Sequence, residues 1–455
     1  MSQAFTQKDD LAAVSGAADN ADGNSGKKVR GEGEIVVRAL FTILCYQGYA
    51  FAILGVGAPF IAKGFGLDQS GIARMYAWMS LNAVGALVLS RMADRIGRRR
   101  IVLLSLILTP LCSLGAALST NASLFIIFEI VAYAGIGATF GSSFVMLAEA
   151  LPIDKRSEGQ GWANFATGIG GGGCVILAPI LVHFGLSWRW LLVVPAAGIV
   201  LFPMMARMLP ESARWERAAA LGAPAQSHFY DIFSPAYRGR AIPLIIATLL
   251  GEASGAAVAT WIYYHAVTVV KLGAAEGSAI LLIGGTIGTA GLVLGVRMSE
   301  WVGRVKSVVI LGLGGVVAVL AFYWGPPANF AWPVLWLLVA HTWFSATGRG
   351  TLVAANSAVT ELFPTALRGT IMGWLTLCVA IAAVAAQVAI AILAKRMGGL
   401  SNVVGWISLL TIPTVIIWWL FIDETRGLSL EAASGETVPE EPPTAVEAVV
   451  TGSNA

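Results

Sequence analysis

Twelve apolar runs of roughly 20 residues, joined by short charged turns, leave this chain few ways to fold. They fall near residues 36–62, 71–91, 101–119, 123–149, 160–184 and 189–209, and again near 241–268, 277–299, 306–324, 332–360, 370–394 and 402–422. A helix of that length crosses a bilayer with its backbone hydrogen bonds satisfied internally. Of the 455 residues, 57% are hydrophobic and 12% charged, and the mean hydropathy is +0.76, far from a soluble domain. The expected fold class is an all-α polytopic membrane protein with twelve transmembrane helices.

Several function classes fall away. The net charge of +3 is explained by loop arginines and gives no support to a nucleic-acid partner. Cys45, Cys112, Cys174 and Cys378 stand alone in apolar segments, without the spacing of a metal site or disulfide framework, and read as small core residues. No nucleophile has a nearby base and no His-rich metal set occurs, so neither an enzyme nor a bound cofactor is expected. Gly170 to Gly173 suggest a phosphate loop, but no strand precedes them and no Gly-Lys-Ser follows; close helix packing is the better reading. Asp9, Asp10, Asp19 and Asp22 in the polar N-terminal stretch are unlike a cleaved signal peptide, which leaves the first span as the insertion signal.

Two motifs occur twice. In Ser90-Arg91-Met92-Ala93-Asp94-Arg95-Ile96-Gly97-Arg98-Arg99-Arg100, the residues Arg91, Met92, Asp94, Gly97 and Arg98 return as Arg297, Met298, Glu300, Gly303 and Arg304, an offset of 206 (297 minus 91). Glu149, Pro152 and Arg156 return as Glu361, Pro364 and Arg368, an offset of 212 (361 minus 149). Same order and nearly the same offset imply two related halves in parallel orientation. On these residues the chain resembles the major facilitator superfamily, nearest its sugar-porter and metabolite-symporter branches. Pro210-Glu211-Ser212-Ala213-Arg214-Trp215 is similar to the sugar-porter motif after the sixth helix, and Asp423-Glu424-Thr425-Arg426-Gly427-Leu428-Ser429-Leu430 to the one after the twelfth. The resemblance covers roughly residues 35 to 431. The fifth span lacks the Gly-Pro-x-x-Gly-Gly pattern of drug antiporters, which argues against multidrug efflux.

Loop charge gives the topology. With both termini inside, 22 of the 29 Lys and Arg residues are cytoplasmic and six lie outside (Lys63, Arg74, Arg189, Lys271, Lys395, Arg396), leaving Arg349 within a helix. The expected division is a disordered cytoplasmic tail at 1–34, a six-helix bundle at 35–209, a cytoplasmic linker at 210–240, a second bundle at 241–426 and an acidic disordered tail at 427–455. Without disulfide pairs, a cleaved signal or a lipidation motif, a bacterial inner membrane fits. The resemblance implies a monomer.

Ionisable residues within the spans are costly and are functional candidates by default. Glu252, about ten residues into the seventh run, lies roughly 15 Å deep. Sugar porters carry Gln-Gln-x-x-Gly-x-Asn followed by Tyr-Tyr in this helix. Here Gly251-Glu252-Ala253-Ser254-Gly255-Ala256-Ala257 leads to Tyr263-Tyr264, so Glu252 takes the second Gln position while Ala257 replaces the Asn. Glu252 could bind substrate, carry a proton, or pair structurally with Arg349. Arg349 lies roughly 18 Å deep and needs an acidic partner or an anionic substrate. Asn164 stands where sugar porters place a substrate-binding Gln, and Asn356 where they often have Trp; either could bind substrate or tie helices together. Gln47, Tyr49, Asn82, Tyr263, Tyr264 and Gln387 complete the polar lining, with Gln47 and Tyr263 as candidate binding residues, and Glu129 and His341 lie nearer the outer mouth, Glu129 as a second candidate proton site. In the first helix Gln47-Gly48-Tyr49-Ala50 has lost both acidic positions of the related symporters, so a coupling proton must ride on Glu252 or Glu129.

The resemblance implies alternating access, with cytoplasmic clusters Asp94, Arg98, Glu149, Arg156 and Glu300, Arg304, Glu361, Arg368 acting as a gate that holds the outward-facing state; stapling loops is the alternative. Ser90 replaces the motif's leading Gly. The function expected is secondary active transport of a small organic solute, an organic or aromatic acid favoured, as a proton symporter. The alternatives are a proton-independent facilitator or exporter of a sugar-like metabolite, and a membrane sensor that kept the fold without transporting.

Overall fold

The computed structural model describes residues 3–151, 156–211, 230–325 and 331–427; the side chains of 3–33, Asp94, Ala148, 156–158 and 365–366 lie outside the description. Regular structure among the described residues is helical. Numbering the spans in chain order, span 1 is the part Glu34–Gly64 of the helix Gln3–Gly64. The helix bounds reach back over residues the sequence assigns to an unstructured tail; no proline interrupts them before Pro59. Span 2 is Gln69–Met79 and Asn82–Ile96, span 3 Arg98–Leu118, span 4 Ala122–Ala150, span 5 Arg156–His183, and span 6 Trp190–Ala197 and Leu201–Met208. Span 7 is Arg238–Tyr264, span 8 Ala274–Gly288 and Ala290–Trp301, span 9 Arg304–Trp324, span 10 Pro333–Leu362, span 11 Thr365–Leu393, and span 12 Leu400–Ser408 and Thr411–Phe421.

Eleven of these are apolar enough to qualify as membrane-crossing by composition. Span 10 is outside the eleven. Its 30 residues suffice to cross, at 1.5 Å each, but His341, Arg349 and Asn356 lie along it.

Spans 2 and 8 break at matching places for a chemical reason. At the first break the Ser80 hydroxyl donates to Ala77 O at 2.6 Å and Asn82 Nδ2 to Met79 O at 2.7 Å. At the second, Thr289 Oγ1 donates to Thr286 O at 2.5 Å. Side chains that take helix carbonyls compete with the backbone ladder and bend it.

The two halves pack alike. Span 1 lies on span 5 as span 7 lies on span 11, span 3 on span 4 as span 9 on span 10, and spans 2 and 8 on spans 4 and 10. Their cores, however, differ between the two ends of the bundle. At the end carrying the arginine-rich turns, here the basic end, the first half has its own core around Leu40, Leu44, Leu106 and Ala166. The second half has a separate one around Ile232, Leu244, Val308 and Phe363. At the far end a single core joins both halves and includes Ile53, Ile72, Tyr76, Trp261, Tyr263, Ala386 and Leu400. The halves therefore meet at the far end and have separate interiors at the basic end, an arrangement open towards the arginines.

Contacts that seal the far end cross between the halves. The Tyr76 and Trp261 rings lie 4.9 Å apart and those of Phe60 and Tyr263 6.2 Å. Ser278 Oγ donates to Val175 O at 2.8 Å, and Leu400 N–H to Gln69 Oε1 at 3.1 Å.

Candidate functional site

The gap between the halves is lined by helix faces that can be read from these sealing contacts. In span 5, Asn164, Gly168, Gly172 and Val175 share one face at i, i+4, i+8 and i+11. At the far end that face is met by the other half, Leu282 over Gly172 and Ser278 on Val175 O. Nothing lies within 4 Å of where a side chain on Gly168 would begin, so the face opens into the gap below the seal. Asn164 is exposed there, with Nδ2 donating to Gln160 O at 2.9 Å.

Span 7 follows the same rule. Glu252, Ala256, Ala259 and Tyr263 share a stripe at i, i+4, i+7 and i+11, and Tyr263 at its top faces Phe60 of the first half. The stripe below Tyr263 points into the gap, and Glu252 is half-buried on it. The opposite face of span 7 is fixed to span 12: Thr411 Oγ1 donates to Ser254 Oγ at 2.9 Å, and Ser254 Oγ to Ser408 O at 3.3 Å.

Arg349 is half-buried in span 10, and Asn356, two turns nearer the basic end on the same stripe, is exposed. The backbone of span 10 comes close to span 8 because Gly291 and Gly295 face Ala346 and Gly350, with no room for a side chain between them. That contact flanks Arg349. Among the described residues Arg349 and Glu252 form no ion pair with each other or with any third group. The structure thus leaves one cation and one anion within the spans of the same half without a charged partner. A guanidinium or carboxylate facing lipid costs several kcal/mol, so both are candidates for the gap.

Other candidates do not join them. Tyr263 is buried in the far-end core, its hydroxyl donating to Ala274 O at 3.2 Å; it seals the gap rather than lining it, because it lies a full three turns beyond Glu252. Gln47 is 0% exposed and faces span 3, where Thr109 Oγ1 donates to its Oε1 at 3.4 Å, while its Nε2 is buried without a hydrogen-bond partner among the described residues. Glu129 is 2% exposed within the first half. His341 is buried against Gly284 of span 8 and Tyr264 against Trp261. Gln387, expected to line the path, instead accepts from Trp261 Nε1 at 3.2 Å and donates to Thr260 Oγ1 at 3.1 Å. The sealing pair Tyr76 and Trp261 is absent from the sequence reading. The aromatic run Trp261, Tyr263, Tyr264 just beyond Glu252 was the available signal.

At the basic end the doubled motifs form doubled structures. Arg98 pairs with Glu149 in the first half. In the second, Arg304 Nη2 lies 3.0 Å from Glu361 Oε1, and Thr425 Oγ1 donates to Glu361 Oε2. Both pairs tie the start of one span to the end of the next within a half, and both are present while the basic end is open. Arg368 Nε donates to Phe363 O at 3.0 Å, and Glu300 is exposed. The side chains of Asp94 and Arg156 lie outside the described residues.

Comparison with known proteins agrees with this architecture. The family profile described as Major Facilitator Superfamily matches residues 40–387. A gentisate transporter of Corynebacterium glutamicum is 25% identical over 78% of this chain and 80% of its own length. A probable 4-methylmuconolactone transporter of Cupriavidus pinatubonensis is 24% identical over 85% of this chain and 91% of its own. The crystal structure of a D-xylose-proton symporter superposes with a TM-score of 0.69 at 18% identity, covering 87% of this chain and 99% of that one.

Proposed function

The chain belongs to the Major Facilitator Superfamily and is a secondary transporter of small organic solutes, and from that premise we propose that its substrate is an organic acid held by Arg349. The observation that carries the reading is a half-buried guanidinium within a membrane span, without an ion-pair partner among the described residues, beside a gap that opens at one end. A guanidinium stays charged throughout the cycle and its planar fork matches a carboxylate, so an anionic substrate supplies the counter-charge that the protein omits. Glu252, Asn164 and Asn356 add hydrogen-bonding groups around the same gap. The relatives named for gentisate and 4-methylmuconolactone support an aromatic or ring-derived acid.

The arginine-rich turns support a cytoplasmic basic end, with both termini on the cytoplasmic side of a bacterial inner membrane. The present arrangement is then inward-facing. Closing the basic end while parting Tyr76 from Trp261 gives the outward-facing state, and coupling to an inward proton gradient drives uptake by the monomer. A second reading, a proton-independent facilitator, is favoured by Gln47 and Ala50 at positions where related symporters carry acids.

Uptake of labelled gentisate, other aromatic acids and sugars into proteoliposomes, with and without an inward proton gradient, tests both. Removing the guanidinium in Arg349→Ala forfeits a charge-assisted contact of about 1.5–3 kcal/mol, about a 10- to 150-fold rise in KM for the acid. Sugar uptake unaffected by Arg349→Ala, with no acid transported by the wild type, overturns the acid reading. Equal equilibration with and without the gradient establishes the facilitator.

A further inference from the structure

Just beyond the far-end seal, on its outer side, the first half carries a separate pocket. It is a cavity of about 330 Å³ between the ends of spans 1, 5 and 6, within the size range of small-molecule sites. Span 1 presents Phe60 and Lys63 to it from one helix face, and the turn before span 6 adds Ser187 and Trp188. Lys63 and Ser187 are exposed, so the pocket can be reached from the far end while the seal is shut. Phe60 belongs to both, since its ring also meets Tyr263 across the seal.

The polar side chains of this pocket are donors. Lys63 forms no ion pair among the described residues. The indole N–H edge of Trp188 lies against Gly64, which has no side chain to accept it. Ser187 Oγ accepts from Arg189 N–H at 3.3 Å, which leaves its own proton free to give. No carboxylate lines the pocket, and Phe60, Leu181 and Leu191 make much of the remaining wall apolar. The indole is held in place by Phe65 and Phe125, at ring distances of 5.6 and 5.8 Å. Over it lies the Arg189 guanidinium, 4.9 Å from the ring centroid and anchored by Nη1 donating to Ala117 O at 2.7 Å. Charge at this end favours the same kind of ligand. Six bases lie here against two acids, and both acids are spent at helix starts, Asp68 accepting Gly71 N–H at 2.7 Å and Glu276 accepting Gly273 N–H at 2.8 Å. A positive surplus raises the local concentration of anions and speeds their arrival.

We propose that this pocket is an outer docking site for an aromatic carboxylate, filled while the far end is shut. The carboxylate takes hydrogen bonds from Lys63, Trp188 and Ser187, and the ring lies against Phe60 and the two leucines. A neutral apolar molecule would leave the three donors unused, and an inorganic anion would leave the apolar wall wet. A docked acid touches Phe60, whose ring is turned to Tyr263, so it waits at a contact that parts when the far end opens. The chemistry of the ligand follows from the pocket itself; its role as an entry step rests on the organic-acid reading of Arg349.

Leu186→Cys puts a thiol in the pocket wall, and its labelling by an impermeant maleimide added outside sealed phosphatidylcholine vesicles reads occupancy. Every chain compared carries Arg349→Ala, which removes the central site from the measurement. Benzoate is expected to slow labelling of Leu186→Cys but not of Lys395→Cys, which lies at the same end outside the pocket, and benzyl alcohol to slow neither. Lys63→Gln raises the benzoate concentration for half-protection by about fivefold or more, and Lys63→Arg keeps it low. Val182→Cys, exposed on the same wall, repeats the measurement should Leu186→Cys fail to fold. No protection by benzoate, equal protection by benzyl alcohol, or protection unchanged in Lys63→Gln overturns the proposal. Labelling that phosphatidylglycerol in the vesicles suppresses and benzoate does not also overturns it, and makes the pocket a lipid headgroup site. Acid uptake indifferent to Arg349 would sink the organic-acid reading and leave the protection intact, whereas lost protection with Arg349-dependent uptake retained sinks the docking site alone.

Discussion

Glu424 accepts the backbone N–H of Arg304 at 2.7 Å across 120 residues of chain. Its second oxygen accepts Val305 N–H at 3.2 Å. The carboxylate therefore caps the N-terminus of span 9, where unsatisfied N–H groups and the helix dipole favour an anion. Glu211 does the same for span 3, accepting Arg99 N–H at 3.0 Å, while the Arg99 side chain holds Leu209 O and Ala206 O at 2.6 Å. In each half the segment after the sixth span is thereby fastened to the start of the third. Replacing Glu424 by Ala is expected to cost about 1–2 kcal/mol, read as a lower melting temperature in detergent. Glu424→Gln, which keeps one acceptor, loses less.

The caps explain two glycines. Gly97 and Gly303 have φ of 108° and 111°, a region open to glycine alone, and a Cβ on either would collide with the Glu211 or Glu424 carboxylate. Gly303→Ala is expected to destabilise by about 1–3 kcal/mol from the backbone alone. Gly369→Ala, with open space around it, serves as the control in the same thermal unfolding experiment.

Trp261→Ala removes the ring stacked on Tyr76 and the donor to Gln387. An aromatic pair contributes about 0.5–1.5 kcal/mol beyond its buried area. That is about a two- to tenfold shift towards the state open at the far end. Labelling of Leu282→Cys, beside Gly172, by an impermeant maleimide should accelerate by that factor. An unchanged rate would mean that Tyr76 and Trp261 do not hold the seal.

Asp68 caps the outer half of span 2, taking hydrogen bonds from Gly71 N–H at 2.7 Å and the Ser70 hydroxyl at 2.8 Å. Those bonds, the Ser70 one foremost, hold its carboxyl below the usual range. With the folded value depressed, its contribution is complete above the unfolded value of about 3.9 and fades as pH falls through the folded one. At neutral pH Asp68→Ala is expected to cost about 1 kcal/mol or less. That difference between variant and wild type should disappear in strong acid.

Much of this architecture is legible in the sequence because the bilayer leaves it no choice. Span length, loop charge and the doubled Arg and Glu motifs follow from hydrocarbon thickness and helix-end chemistry, and the Arg304 and Glu361 pair sits where the repeat puts it. Facing is harder to read. In a membrane span both lipid and protein interior are apolar, so periodicity does not separate them. Gln47 and Tyr263 read as lining residues yet lie in packed interiors, whereas Asn164 is placed in the gap only by knowing that Gly172, two turns away, meets Leu282. Which end is open depends on a balance between two states of one sequence, and no residue pattern encodes that.

The breaks in spans 2 and 8 alter what counts as the moving part. Residues 69–79 pack chiefly on span 11 of the opposite half, residues 274–288 pack on span 5 of the opposite half but more extensively on span 10 of their own, and the pieces after each break pack mainly within their own half. The break at Ser80 therefore divides span 2 into an outer piece seated on the other half and an inner piece that belongs to its own. The outer piece, a helix of 11 residues, is a unit that can turn about the break separately from either six-helix bundle, so covering a solute does not require both bundles to move as one.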